Sequence, residues 1–306
     1  MISRRSFLVG LASASCSRRE KALDPGPLPV RPLPDASVRG SRLLEWTFSG
    51  GDAGFPQRAA VLVPSWRAEK KFPVVVALHG RGEALKGPVL GAMGWPRDYA
   101  LMRAYERICA PPLRDADFEG LSDPPHLAEM NRALAERPFG GLVIVCPYVP
   151  DVNLASETDQ KAYGRFVIET LLPRVRMETP ALAAAESTGI DGVSLGGAVA
   201  LRLGLASPEI FGAVGALQPA TFEGQAFEWT ELAKAALAKR PGMKLRLTTS
   251  HEDGYRMAVT RTSEAWRAAG IPHDFADLPG PHDYIFNRGA GSFELLFWQD
   301  RALARS

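Results

Sequence analysis

The chain has little that would tie it to a metal, a redox couple, a nucleic acid or a membrane. It holds three cysteines and five histidines in 306 residues. There is no C-x-x-C pair and no His/Cys cluster at ligand spacing, so neither a metal nor a cofactor is expected. The net charge is only +2. With no stripe of Lys and Arg interleaved with aromatics, a nucleic-acid partner is not expected either. No apolar run approaches the roughly 20 residues that a helix needs to cross a bilayer, so no transmembrane domain is expected. Internal repeats and charge blocks are missing as well.

What is present is core material: 46% of the residues are hydrophobic and 23% charged. Apolar segments recur along the whole chain, and one α/β domain of about 270 residues fits better than two. Ahead of it, Ser3-Arg4-Arg5-Ser6-Phe7-Leu8 resembles a twin-arginine export signal. A short apolar stretch follows, ending near Cys16, which is a candidate lipid attachment site. The expected organisation is an export signal over residues 1–20, a proline-rich linker over 21–40 and the domain over 41–306. That places the protein outside the cytoplasm, in the periplasm or beyond it, with a possible lipid anchor. Export would also favour a disulfide between Cys109 and Cys146, the other reading being two buried thiols.

Within the domain, Leu43–Phe48 and Arg58–Val63 read as two antiparallel strands around a Gly50–Gly54 turn. Phe72–Leu78 and Leu142–Cys146 are unbroken apolar runs, the pattern of strands buried on both faces. Between them, Glu83 to Gly140 is long and rich in proline. It predicts a helix from Pro96 to Ile108 and then a proline-broken stretch, together an active-site wall. Helices are expected over Gln160–Val175, Thr230–Lys239, Thr260–Ala269 and Ser292–Ala304, and strands over Ser187–Asp191, Phe211–Leu217, Lys244–Thr249 and His273–Leu278. This alternation implies a mainly parallel sheet with helices on both faces.

The chain is organised around Gly192-Val193-Ser194-Leu195-Gly196-Gly197, a G-x-S-x-G motif between a strand and a helix. A turn this sharp pushes the Ser194 hydroxyl out of the sheet and aims the Leu195 N–H at charge forming beside it. A serine that only caps the helix is the competing reading. A hydroxyl nucleophile needs a base. Of the five histidines, His282 sits in Pro279-Gly280-Pro281-His282-Asp283-Tyr284, after the last strand, where the order serine, acid, histidine places it. The acid should follow the strand ending at Thr249. Asp253 is preferred over Glu252 because Gly254 permits a tight turn, and Asp283 is too close to His282 in sequence to reach its ring. A second oxyanion donor is expected from the His79-Gly80-Arg81 turn, as the N–H of Arg81.

Val61–Pro64, Leu78-His79-Gly80, the elbow, Asp253 and Pro281-His282-Asp283 together resemble the α/β-hydrolase superfamily. Within it, the chain resembles the esterase group that includes esterase D, feruloyl esterases, enterochelin esterases and mycolyltransferases. The resemblance implies an α/β-hydrolase fold, Ser194 as nucleophile, Asp253 as acid, His282 as base, and oxyanion donors at Leu195 and Arg81. One departure is the polar strand into the elbow, with Ser187, Thr188 and Asp191 where apolar residues are common. The expected activity is hydrolysis of a small-molecule or carbohydrate-linked carboxylic ester through an acyl-serine. Acyl transfer by the same residues, or a catalytically dead exported binding protein, are the alternatives.

Overall fold

The computed structural model describes residues 40–48, 57–66, 69–151 and 157–305. The export signal, Cys16, nearly all of the linker and the Gly50–Gly54 turn lie outside them. Eight strands form one sheet: β1 (Ser41–Phe48), β2 (Gln57–Pro64), β3 (Val74–Leu78), β4 (Val143–Pro147), β5 (Thr188–Gly192), β6 (Ala213–Leu217), β7 (Lys244–Glu252) and β8 (Asp274–Pro281). Their spatial order is β1-β2-β4-β3-β5-β6-β7-β8. The β1-β2 and β2-β4 pairs are antiparallel, and the five pairs from β4 to β8 are parallel.

The apolar run of β3 explains its central place. Val74, Val76 and Leu78 pack into one apolar layer with Phe166, Leu171, Val199 and Trp229, while Val75 and Ala77 join a second layer with Tyr105, Met130, Phe293 and Leu296. Alternate residues of a strand face opposite sides, so only a strand apolar throughout can serve both layers.

The polar strand β5 is accommodated by pairing and not by exposure. Asp191 is fully buried and accepts from both the Arg246 guanidinium, at 2.9 and 2.8 Å, and the Gln299 amide at 3.0 Å. Arg246 is itself 2% exposed and also donates to the Glu294 carbonyl at 2.7 Å. Burial nevertheless pushes the Asp191 carboxyl above its ordinary range, its hydrogen bonds offsetting the desolvation only in part.

The wall departs from expectation in two places. The helix expected from Pro96 to Ile108 is split: Gly94–Asp98 form a π-helical turn, Ala100 takes a left-handed backbone (φ 54°) that a helix cannot continue through, and a second helix runs from Leu101 to Ile108. The stretch expected to be broken by Pro124-Pro125 is instead a helix over Pro124–Glu136, with the Asp123 carboxylate accepting the N–H of His126. Proline in a first helical turn lacks only an N–H that has no intrahelical partner anyway. The expected disulfide is also corrected. Cys109 and Cys146 are not bonded to each other. Cys146 lies buried in β4, where desolvation pushes its thiol upward.

Candidate active site

The site lies where β3, β5, β6, β7 and β8 end, the edge of an open parallel sheet at which ligands bind. Ser194 follows β5 with φ 56° and ψ −119°, a conformation costly for any residue with a side chain, and leads into the helix Leu195–Ala206. Backbone holds it there: the Ser194 N–H donates to the Leu217 carbonyl at 3.0 Å, and its carbonyl accepts from the N–H groups of Ala198 and Ala220. Glycine at 192 and 196 is required by proximity. A methyl group on Gly192 would strike the Gly196 carbonyl, and one on Gly196 would strike the carbonyls of Leu78 and His79.

The structure brings Ser194, His282 and Asp253 together across 88 and 29 residues of chain. His282 Nε2 lies 2.9 Å from Ser194 Oγ, and its Nδ1 lies 2.7 Å from Asp253 Oδ1. In the tautomer this implies, Nδ1–H donates to the carboxylate and Nε2 accepts the serine proton. The Asp253 side chain is fully buried and the His282 side chain 26% exposed, so the ring is partly open to solvent. Asp253 is fixed by two further donors, the Thr249 hydroxyl at 2.8 Å and the Tyr255 N–H at 2.9 Å.

The reason offered for preferring Asp253 over Glu252 needs correction. Gly254 has an ordinary backbone and open space around it. What separates the two carboxylates is an irregularity in β7 between Ser250 and Glu252, followed by a turn closed by the Asp253 N–H on the Ser250 carbonyl at 3.0 Å. Glu252 is left exposed while Asp253 turns inward. Asp283 accepts the N–H of Ile285 at 2.7 Å and caps the next turn, in keeping with its exclusion from the acid position.

Leu195 and Arg81 stand at the first positions of their helices, where no intrahelical carbonyl is available to their N–H groups. The Gly80-Arg81 turn lies against the serine: a Cβ placed on Gly80 would be 3.6 Å from Ser194 Cβ. His79 is buried behind it. It accepts the Val149 N–H on Nε2 at 2.9 Å and holds the Gly80 carbonyl with Nδ1 at 2.9 Å, and desolvation lowers its proton affinity. The Arg81 side chain is exposed and makes a two-point ion pair with Asp151.

Sequence reasoning missed Gln218. Its side-chain amide is buried behind the site and donates to the Ser250 hydroxyl at 2.6 Å and to the carbonyl of Pro281, the residue before His282, at 3.0 Å. Its left-handed backbone (φ 43°) is invisible in the sequence. A ladder of rings leads outward, with Tyr255 5.3 Å from the His282 ring and the exposed Phe222 6.4 Å from Tyr255. A groove of about 710 Å³ between Tyr163 and Leu232 contains none of the three linked residues and is not the reaction site. Among the described residues no helix is long and apolar enough to cross a membrane, and no group of three His, Cys, Asp or Glu side chains could hold a metal.

A serine in a strained strand-to-helix turn, linked to a histidine and an aspartate from later loops of a mainly parallel sheet, defines a hydrolase-type site on an α/β-hydrolase fold. Residues 147–284 match the family Esterase. Among solved structures, a ferulic acid esterase is 16% identical with a TM-score of 0.65, the match covering 87% of this chain and all of that one. S-formylglutathione hydrolase from Staphylococcus aureus is 16% identical, TM-score 0.58, over 86% of this chain and 98% of the other. The enterobactin esterase of Shigella flexneri is 18% identical, TM-score 0.53, over 84% of this chain and 59% of its own. At these identities the structural likeness speaks to the fold. No curated protein matches the sequence. Over residues 147–284 the chain is similar to the esterase family, and its fold is that of the α/β-hydrolases.

Proposed function

We propose that this esterase hydrolyses a carboxylic ester through an acyl-serine intermediate on Ser194. The observation that carries the reading is the continuous hydrogen-bonded path from Ser194 Oγ through His282 to Asp253. In the reaction, His282 Nε2 takes the serine proton as Oγ attacks the ester carbonyl carbon. Asp253 holds the ring and stabilises its cationic form. The carbonyl oxygen gains negative charge and is met by the N–H groups of Leu195 and Arg81. His282 then protonates the departing alcohol, and water activated by the same ring releases the acid.

Acyl transfer would use every one of these groups and differ only in the acceptor. A dead binding protein on this fold would have no use for a serine held in a strained conformation against a correctly oriented imidazole. Export through the first 20 residues, a lipid on Cys16, the linker over 21–40 and a domain beginning at residue 41 complete the proposal.

A panel of aryl esters of graded acyl length, run with and without an alcohol acceptor, tests it. Turnover of at least one ester without acceptor supports hydrolysis. Turnover that appears only with acceptor moves the reading to transfer, and none with any ester leaves a binding protein.

A further inference from the structure

We propose that Glu83, acting through Tyr99 and Tyr284, is a positioning residue that holds the Arg81 N–H and the His282 loop in register with Ser194. This rests on the ester-hydrolase reading above and adds to it. Glu83 is 1% exposed, and phenols engage both carboxylate oxygens. Tyr99 donates to Oε2, and Tyr284 donates to Oε1 at 2.5 Å. A phenol that donates its proton can still accept. Tyr99 accepts the Gly80 N–H at 3.1 Å, and Tyr284 accepts from the Lys86 ammonium at 3.1 Å. Lys86 also lies 3.6 Å from Glu83 Oε1 and bonds Asp98 at 3.0 Å, so the buried carboxylate has a counter-charge beside it.

The geometry at Gly80 is what makes this cluster matter to chemistry. The Gly80 carbonyl and the Arg81 N–H belong to one planar peptide and point to opposite sides of it. The carbonyl is held by His79 Nδ1 at 2.9 Å and by the Ala84 N–H at 3.3 Å. The N–H on the other side of Gly80 is held by Tyr99. With both peptides fixed, the Arg81 N–H has one direction: turning its own peptide would break the bonds of the Gly80 carbonyl to His79 and Ala84, and Tyr99 anchors the preceding peptide from which it hangs. The second phenol, Tyr284, lies two residues beyond His282 and anchors that loop to the same carboxylate. One buried group thus ties together two loops that both meet the serine. A displacement of 1 Å at such a site can cost about 10²-fold in rate.

The test uses Tyr99→Phe, Tyr284→Phe, the double variant and Glu83→Gln, each measured on an aryl ester, on a trifluoromethyl ketone inhibitor and by thermal melting. The ketone adds to the nucleophilic serine, and its oxyanion occupies the donors that the transition state uses. Tyr99→Phe should lower kcat about ten- to hundredfold with KM changed less than about twofold, and ketone affinity should fall by about the same factor as kcat/KM. Tyr284→Phe should also lower kcat. The double variant should lose less than the product of the single losses, because both phenols act through Glu83. If Tyr99→Phe does not fold, Glu83→Gln and Tyr284→Phe are judged by the same criteria.

Lower melting temperatures with kcat and ketone affinity unchanged in folded protein would overturn the proposal, as would single losses that simply multiply. An inactive wild type that hydrolyses no ester would overturn the ester-hydrolase reading and this proposal with it. An active wild type with unaffected variants would overturn this proposal alone.

Discussion

The elbow at Ser194 and the turn after β3 form two sides of one site, yet different forces hold them. The elbow is held by backbone against backbone: Gly192 against Gly196, Gly196 against Leu78 and His79, and the Ser194 N–H on the Leu217 carbonyl. The Gly80-Arg81 turn is held by side chains, with Tyr99 on one side and His79 on the other. Close backbone approach leaves its requirement in the local sequence, as glycine at fixed offsets from the serine. Side-chain clamps leave no local trace. Glu83 and Tyr284 are 201 residues apart in the chain. The elbow should therefore fail abruptly when altered, and the turn by degrees.

The sharpest test of that difference is a pair of glycine substitutions. Gly196→Ala forces a methyl group into two carbonyls, and is expected to cost more than about 3 kcal/mol of stability and to abolish turnover. Gly80 has an ordinary backbone (φ −78°), and an added Cβ would press on the Tyr99 hydroxyl at 3.2 Å and meet Ser194 Cβ and Glu83 Oε2 at ordinary contact distances of 3.6 and 3.7 Å. Gly80→Ala should therefore cost less than about 1 kcal/mol while lowering kcat. Urea titration beside steady-state kinetics measures both. Similar stability losses in the two variants would erase the contrast.

Next in size is the difference between neighbouring carboxylates. Asp253→Asn removes the group that orients His282, a change that costs about 10⁴ in kcat in the serine-protease triad. Here we expect a loss at least about tenfold larger than that of Glu252→Gln, whose side chain is exposed. Kinetics with one ester at saturation decides this. An equal or larger loss in Glu252→Gln would place the acid wrongly.

Beneath the elbow, Arg246→Ala would leave Asp191 buried without its counter-charge, at an expected cost of about 3–5 kcal/mol in stability. Burial already raises the Asp191 carboxyl, so the penalty falls on its charged form. The variant should therefore recover stability as the pH is lowered and Asp191 is neutralised. Urea titrations in acidic and neutral buffer report this, and no recovery would mean that the lost packing of Arg246 on the Trp298 ring dominates.

Much of the fold was legible in the sequence, and residue by residue the reasons are plain. The apolar runs of β3 and β4 can lie only between two layers, and the order Ser194, Asp253, His282 follows chain topology. The helix at Pro124–Glu136 was hidden because proline breaks a helix everywhere except its first turn. The polar face of β5 made sense only with Arg246 and Gln299, 55 and 108 residues away from Asp191. Gln218, Tyr99 and Glu83 gave no local signal, since their partners are chosen by the folded chain.

The smallest expected effect lies at His126, in the helix Pro124–Glu136. His126 Nε2 lies 2.6 Å from Glu294, and that hydrogen bond raises the proton affinity of the ring above its ordinary value of 6.5. The folded-state value is above the unfolded one, so the stabilisation is complete below the unfolded value and disappears as the pH rises through the folded one. The melting-temperature difference between wild type and His126→Gln should be larger in mildly acidic than in alkaline buffer. A difference independent of pH would mean that the ion pair contributes nothing.

The central claim is that Ser194 is the one serine activated by a base, and covalent labelling tests it most directly. A fluorophosphonate probe attacks readily only at such a hydroxyl. Peptide mapping of the labelled wild type should place a single adduct on Ser194, and Ser194→Ala, shown to be folded by its melting curve, should take up none. Equal labelling of that variant, or an adduct mapped to another residue, would contradict the account.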